Sequence, residues 1–96
     1  MSQGSVVSEA IEIYLRNYPG NNDVEFDSHF GTTRAALMKD QVHQILREAM
    51  KVEPDWTRMS LNEAGDFVEG EMLKRHPELS TEALRAIGNY YTYLMR

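Results

Sequence analysis

Apolar positions in the first segment fall at Val7, Ala10, Ile11, Tyr14, Leu15 and Tyr18, a 3-4-3 spacing that keeps them on one helical face. Ser5 is placed to cap the start, and Pro19-Gly20-Asn21-Asn22 ends the segment, because proline cannot continue a helix and glycine or asparagine closes one in the left-handed conformation. A first helix is expected over residues 6 to 18. Residues 19 to 31 hold three acids, no base, two Phe and two Gly, without a strand period. They read as an ordered loop pinned by Phe26 and Phe30. A second helix starts near Thr32 or Thr33 and gathers Ala35, Met38, Val42, Ile45, Leu46, Ala49 and Val52 within roughly 120° of arc. Pro54 ends it, and the segment from Glu53 to Met59 has room for a short helical turn anchored by Trp56.

The sharpest boundary is Ser60-Leu61-Asn62-Glu63, a capping box in which Met59 and Ala64 are spaced as a hydrophobic staple. Leu61, Ala64, Gly65, Val68 and Met72 form the stripe of a third helix, and Lys74, Arg75 and His76 gather at its end, where the helix dipole favours cations. Ser80 caps a fourth helix, stapled by Leu79 and Leu84, with Ala83, Ile87, Tyr90, Tyr91 and Leu94 as its buried face. The pattern predicts an all-α, compact, bundle-like four-helix domain spanning residues 1 to 96, with a long ordered loop between the first two helices.

Composition narrows the function classes. A chain of 96 residues organises one core, and its Leu, Ile, Val and Phe content is supplemented by six Met, five Tyr and one Trp. The absence of Cys excludes disulfides, zinc thiolate clusters and a thiol nucleophile. The N-terminal Met-Ser-Gln-Gly lacks the features of a signal peptide, and no apolar run approaches the roughly 20 residues that span a bilayer. A cytoplasmic protein is the expectation.

Charge is distributed unevenly. The net charge of -5 is matched by the stretch from Glu53 to Glu71 alone, which carries six acids against one base. An electronegative patch is expected there. On the third helix Asn62, Asp66 and Glu69 lie side by side, with Leu73 at the end of the strip, while Phe67 sits on the other flank beside Glu63 and Lys74. These residues read either as a solvated helix face or as a docking surface, in which acids steer a basic partner and Phe67, Leu73 or Trp56 supplies a desolvated anchor. Asp55, Trp56, Asn62, Glu63, Asp66, Phe67, Glu69 and Leu73 are the candidate partner-binding residues. Glu71 with Arg75 and Glu12 with Arg16 are spaced as ordinary surface pairs.

Catalytic and metal chemistry find little support. His29, His43 and His76 lack partners at ligand spacing, so no metal or other cofactor is expected. The run Asn21 to Asp27 offers alternating oxygens but puts Phe26 where a calcium loop needs Gly. Gly31-Thr32-Thr33 beside Arg34 belongs to neither the P-loop nor the dinucleotide pattern. Arg34, Lys39, Arg47 and Lys51 scatter around the second helix and form no nucleic-acid stripe. Tyr90 and Tyr91 fall on a core face, with Tyr93 nearer the edge.

The expectation is therefore a non-enzymatic protein-binding module with a basic protein partner, no direct nucleic-acid contact and no membrane contact. In size and charge the chain is similar to bacterial immunity proteins, which neutralise a toxin, often a basic nuclease, by covering its working surface. The alternatives are an inhibitor whose carboxylates imitate nucleic-acid phosphates, or a homo-oligomeric subunit joined through helix edges that include Val6 and Ile13.

Overall fold

The computed structural model describes residues 3–95, with side chains from Val6 onward. Five helices follow in order: α1 (Gln3–Leu15), α2 (Asp23–Phe30), α3 (Thr32–Met50), α4 (Leu61–Arg75) and α5 (Thr81–Met95). Among the described residues there is no strand. The all-α class agrees with the apolar spacing, but the count is five rather than four, and the expected long loop is mostly helix.

That difference lies at residues 23–30. Phe26 and Phe30, at i and i+4, share a face, and Phe26 is fully buried with its ring 4.8 Å from that of Phe30. Eight residues are too few for a helix to hold itself in water, so α2 depends on docking Phe26 between α1 and α3. Val24, on its outer side, is 82% exposed, which leaves the segment without the broad apolar stripe that marks a helix in sequence. Lys39 of α3 bridges Asp23 and Asp27 at 3.4 and 3.3 Å. Burial by itself would lower its ammonium pKa, but the Asp27 and Asp23 carboxylates outweigh that and hold it above the ordinary value.

Helix α1 is already formed at Gln3, so Ser5 is not its N-cap, and the Ser5 side chain lies outside the described residues. It ends at Leu15 rather than residue 18, because the chain tightens into turns whose Arg16 and Tyr18 amides donate to the Ile13 and Leu15 carbonyls. Asn22 Nδ2 also donates to the Ile13 carbonyl at 2.8 Å, satisfying an acceptor that the helix end leaves free. Arg16 pairs with Glu25 of α2 instead of Glu12. Glu12 accepts from the Ser80 hydroxyl at 3.1 Å. Ile13, expected at an outer edge, is 4% exposed and belongs to the core, because α2 covers that side of α1.

The expected caps of the last two helices are present. Ser60 Oγ accepts from the Glu63 amide at 3.2 Å while Glu63 Oε1 accepts from the Ser60 amide at 2.9 Å. Ser80 Oγ accepts from the Ala83 amide at 3.0 Å, and the Ser80 amide donates to Ser8 Oγ of α1 at 2.8 Å. Ser8 is the buried polar side chain of the core, and this bond satisfies it.

All five helices contribute to one continuous core, in which Ile11, Phe26, Val42, Val68, Met72 and Ile87 are fully enclosed. Helix α5 is central, packing against α1, α3 and α4, and α2 closes the far side against α1 and α3. The α4–α5 approach is close because Gly65 faces Gly88: a Cβ on Gly65 would lie 2.6 Å from Thr92 Cγ2. At the other end of α4, Glu48 of α3 holds His76 at 2.9 Å and Arg75 at 3.7 Å. Glu71 consequently pairs with Lys74, at 3.3 Å, instead of Arg75. Leu94, expected in the buried face of the last helix, is 44% exposed, because no neighbouring element covers the side of α5 from which it projects. No helix among the described residues is long and apolar enough to cross a membrane.

Candidate partner-binding face

The strip starts from the capping box. The Ser60 amide donates to the Glu63 carboxylate, and this bond and the Ser60 side chain hold the Glu63 pKa below its ordinary value. Because the inner arc of α4 is sealed on α5 by Ala64, Gly65, Val68 and Met72, the opposite arc faces solvent. Asn62, Asp66 and Leu73 share this outer arc, all exposed, and Leu73 keeps 46% of its surface in water. They are spread along the helix, with about 17 Å of rise between Asn62 and Leu73.

Two predicted members are drawn into the fold. Glu69 lies across Gly88 of α5, so closely that a Cβ on Gly88 would come within 2.8 Å of Glu69 Cγ. Partial burial, reinforced by Asp66 and opposed by Arg85, pushes the Glu69 carboxyl pKa up. Phe67 is half-buried and packs against the core edge. Both side chains are part-buried, so each presents less of its end to solvent than its helical position suggests.

Trp56 and Asp55 sit in the connection before α4. The Asp55 carbonyl accepts from the amides of Arg58 and Met59 at 3.0 and 2.9 Å, forming the expected short turn. Its carboxylate accepts from the Thr57 amide and hydroxyl at 3.1 and 2.6 Å and lies 3.7 Å from Arg58 Nε. Asp55 is thus committed to shaping its own turn. The Trp56 ring lies parallel to that of buried Tyr91, with 6.4 Å between centroids, and leaves 49% of its surface exposed. Burial, with a smaller effect of Glu53, pushes the Tyr91 phenol pKa up.

Around Trp56 the structure adds two residues that the sequence did not single out. Glu53 and Met95 line the same shallow cavity of about 380 Å³ with Trp56 and Tyr91. Met95 reaches the site from the far end of the chain, where the end of α5 meets the end of α3 and the connection that follows it. Glu53 was visible as part of the acidic stretch, but its place beside an exposed indole was not.

The charge of this region has few local counterions. Asp55 has Arg58 and Glu71 has Lys74, while Glu53 and Asp66 have no cation within salt-bridge distance among the described residues. No group of three His, Asp or Glu side chains among the described residues is arranged to hold a metal ion. The three histidines are engaged otherwise, His29 with Glu9, His43 with Tyr14 and His76 with Glu48 and Glu78. A cavity of about 510 Å³ opens elsewhere, between α1, α3 and α5, and no residue of the predicted strip lines it. Comparison with known proteins gives no match: no family model, no curated protein and no solved structure matches this chain.

Proposed function

We propose that the chain is a non-enzymatic module that binds a basic protein, acting as a small immunity protein that neutralises a basic, nuclease-type toxin. The observation that supports this reading is Trp56, half exposed yet backed by the buried Tyr91 ring and sharing a cavity with Glu53, an acid that, like Asp66 on α4, has no salt-bridge partner among the described residues. An aromatic held rigid before binding loses little side-chain freedom when a partner covers it, and unpaired carboxylates steer a cationic partner from a distance. Trp56 and Met95 form the apolar anchor beside Glu53, while Asn62, Asp66 and Leu73 extend the surface along α4. Phe67 and Glu69 support α4 rather than touch the partner.

Capture of basic proteins by the tagged chain at low salt tests the reading, followed by binding kinetics with the purified partner. Trp56→Ala is expected to weaken binding by about 2 kcal/mol or more, mostly through faster dissociation. Glu53→Lys with Asp66→Lys is expected to slow association, and the slowing should vanish in high salt. Association insensitive to both charge and salt would refute this face. Glu69 is a poor choice for charge reversal, since Lys at that position would also disturb the packing over Gly88.

A second reading, self-association, draws on α2 and α3, where Val24 is 82% and Leu37 62% exposed. Light scattering separates the two: a monomer removes self-association, whereas a dimer abolished by Val24→Glu or Leu37→Glu establishes it.

A further inference from the structure

The cavity between α1, α3 and α5 differs in chemistry from the rest of the surface. Its walls are Tyr14 and Tyr18, from α1 and the turn after it, Tyr90 from α5, and His43 from α3. Tyr18 lies 4.9 Å from Tyr90, centroid to centroid, and Tyr14 lies edge-on to His43 at 5.3 Å. The Tyr14 hydroxyl and His43 Nε2 share a hydrogen bond of 2.8 Å, which fixes both rings. Leu46 and Met50 add apolar surface, and the volume of about 510 Å³ lies within the range of small-molecule sites.

The rim is cationic in a protein of net charge -5. Arg47 and Lys51, four residues apart on α3 and its C-cap, both line the cavity, and neither has a carboxylate partner among the described residues. The end of α3 accounts for only part of this charge, because a helix C-terminus carries about half a negative charge against two full positive ones. Asp23 is the acid in the lining, and Lys39 bridges it at 3.4 Å. The cavity thus combines aromatic walls, an apolar base and two uncompensated cations at one edge. The Tyr18 and Tyr90 phenol pKa values are pushed up, chiefly by burial, so both rings stay neutral near pH 7 and add no negative charge.

We infer that this cavity binds a small flat aromatic carboxylate, its ring held among Tyr14, Tyr18 and Tyr90 and its carboxylate at Arg47 and Lys51. Aromatic faces supply stacking and desolvation, and the guanidinium supplies a planar pair of donors matched to a carboxylate. A neutral ring of the same size would lose the charge-assisted bonds, and an aliphatic acid would lose the stacking. The inference stands apart from the protein-binding reading, since the two sets of residues do not overlap.

Titration of the full chain with 2-naphthoate, followed residue by residue by NMR at neutral pH, tests it. Saturable shifts are expected at Tyr14, Tyr18, His43 and Tyr90. The neutral 2-naphthylmethanol should bind at least about tenfold more weakly, the loss expected for one charge-assisted hydrogen bond. Arg47→Gln with Lys51→Gln should weaken 2-naphthoate binding by a similar factor. Both side chains are exposed, so the double variant is expected to fold, and its thermal melt verifies this. Arg34→Gln with Arg85→Gln removes two other exposed cations and should leave the affinity unchanged. Shifts outside the cavity, equal affinity for acid and alcohol, or equal loss in the two double variants would each overturn the assignment.

Discussion

Glu63 contributes to the start of α4 in two ways, as the acceptor for the Ser60 amide and as a negative charge in the first helical turn. Its pKa in the folded protein lies below the ordinary value of 4.5, so its stabilising effect is present above that value and is lost as the pH falls through the folded one. Glu63→Gln keeps a hydrogen-bonding cap but removes the charge. The variant is therefore expected to lose less melting temperature than the parent between about pH 5 and pH 3, and parallel losses would show that the carboxylate charge adds nothing. Glu69 shifts the opposite way, because burial and Asp66 raise its pKa against the lowering effect of Arg85. Both residues are acids on one helix. Their difference comes from where their side chains end, one at a free amide and the other over a neighbouring helix.

At the scale of elements, the α4–α5 pair shows how little of a helix face need be apolar when two backbones approach closely. Gly65 and Gly88 meet at the crossing, whereas Gly70, also on α4, has open space around the position of a Cβ. Gly70→Ala is therefore expected to stabilise by about 0.5–1 kcal/mol through helix propensity. Gly65→Ala gains the same propensity but drives a methyl into Thr92, whose branched side chain has few alternative rotamers in a helix. A net loss of about 1–3 kcal/mol is expected there, read from urea denaturation of the two variants side by side. Similar effects at both positions would show that the helices separate at little cost. Helix α2 makes the complementary point: its eight residues carry one enclosed side chain, and its existence depends on that contact.

Across the whole molecule, the helices form a chain of contacts, α4 on α5, α5 on α1 and α3, and α2 at the far end, in a body measuring 44 × 28 × 18 Å. So elongated a shape leaves both faces of interest near solvent, the α4 strip at one end and the aromatic cavity among α1, α3 and α5. It also makes the ends separable in principle. Phe26→Ala is expected to cost about 3–5 kcal/mol if α2 unfolds with the rest, a large share of the stability of a domain this size. A normal urea dependence with a lower midpoint would mark one cooperative unit, while rapid hydrogen exchange confined to residues 23–30 would mark α2 as a separate one.

Much of this architecture was legible in the chain. The core faces of α1, α3 and α4 follow from apolar residues at helical spacing, and the starts of α4 and α5 follow from Ser60 and Ser80, because caps and periodicity act within a few residues. Asn62, Asp66 and Leu73 share a face for the same reason. What only tertiary structure decided is whatever depends on residues distant in sequence. Docking made a helix of residues 23–30, enclosed Ile13, turned Glu69 toward Gly88 and brought Met95 beside Trp56. It also opened the cavity, whose Tyr14 and Tyr18 read as ordinary core residues until α3 supplies His43, Arg47 and Lys51. Local spacing determines which way a side chain points from its own helix, but only the packing of other helices determines what it meets there.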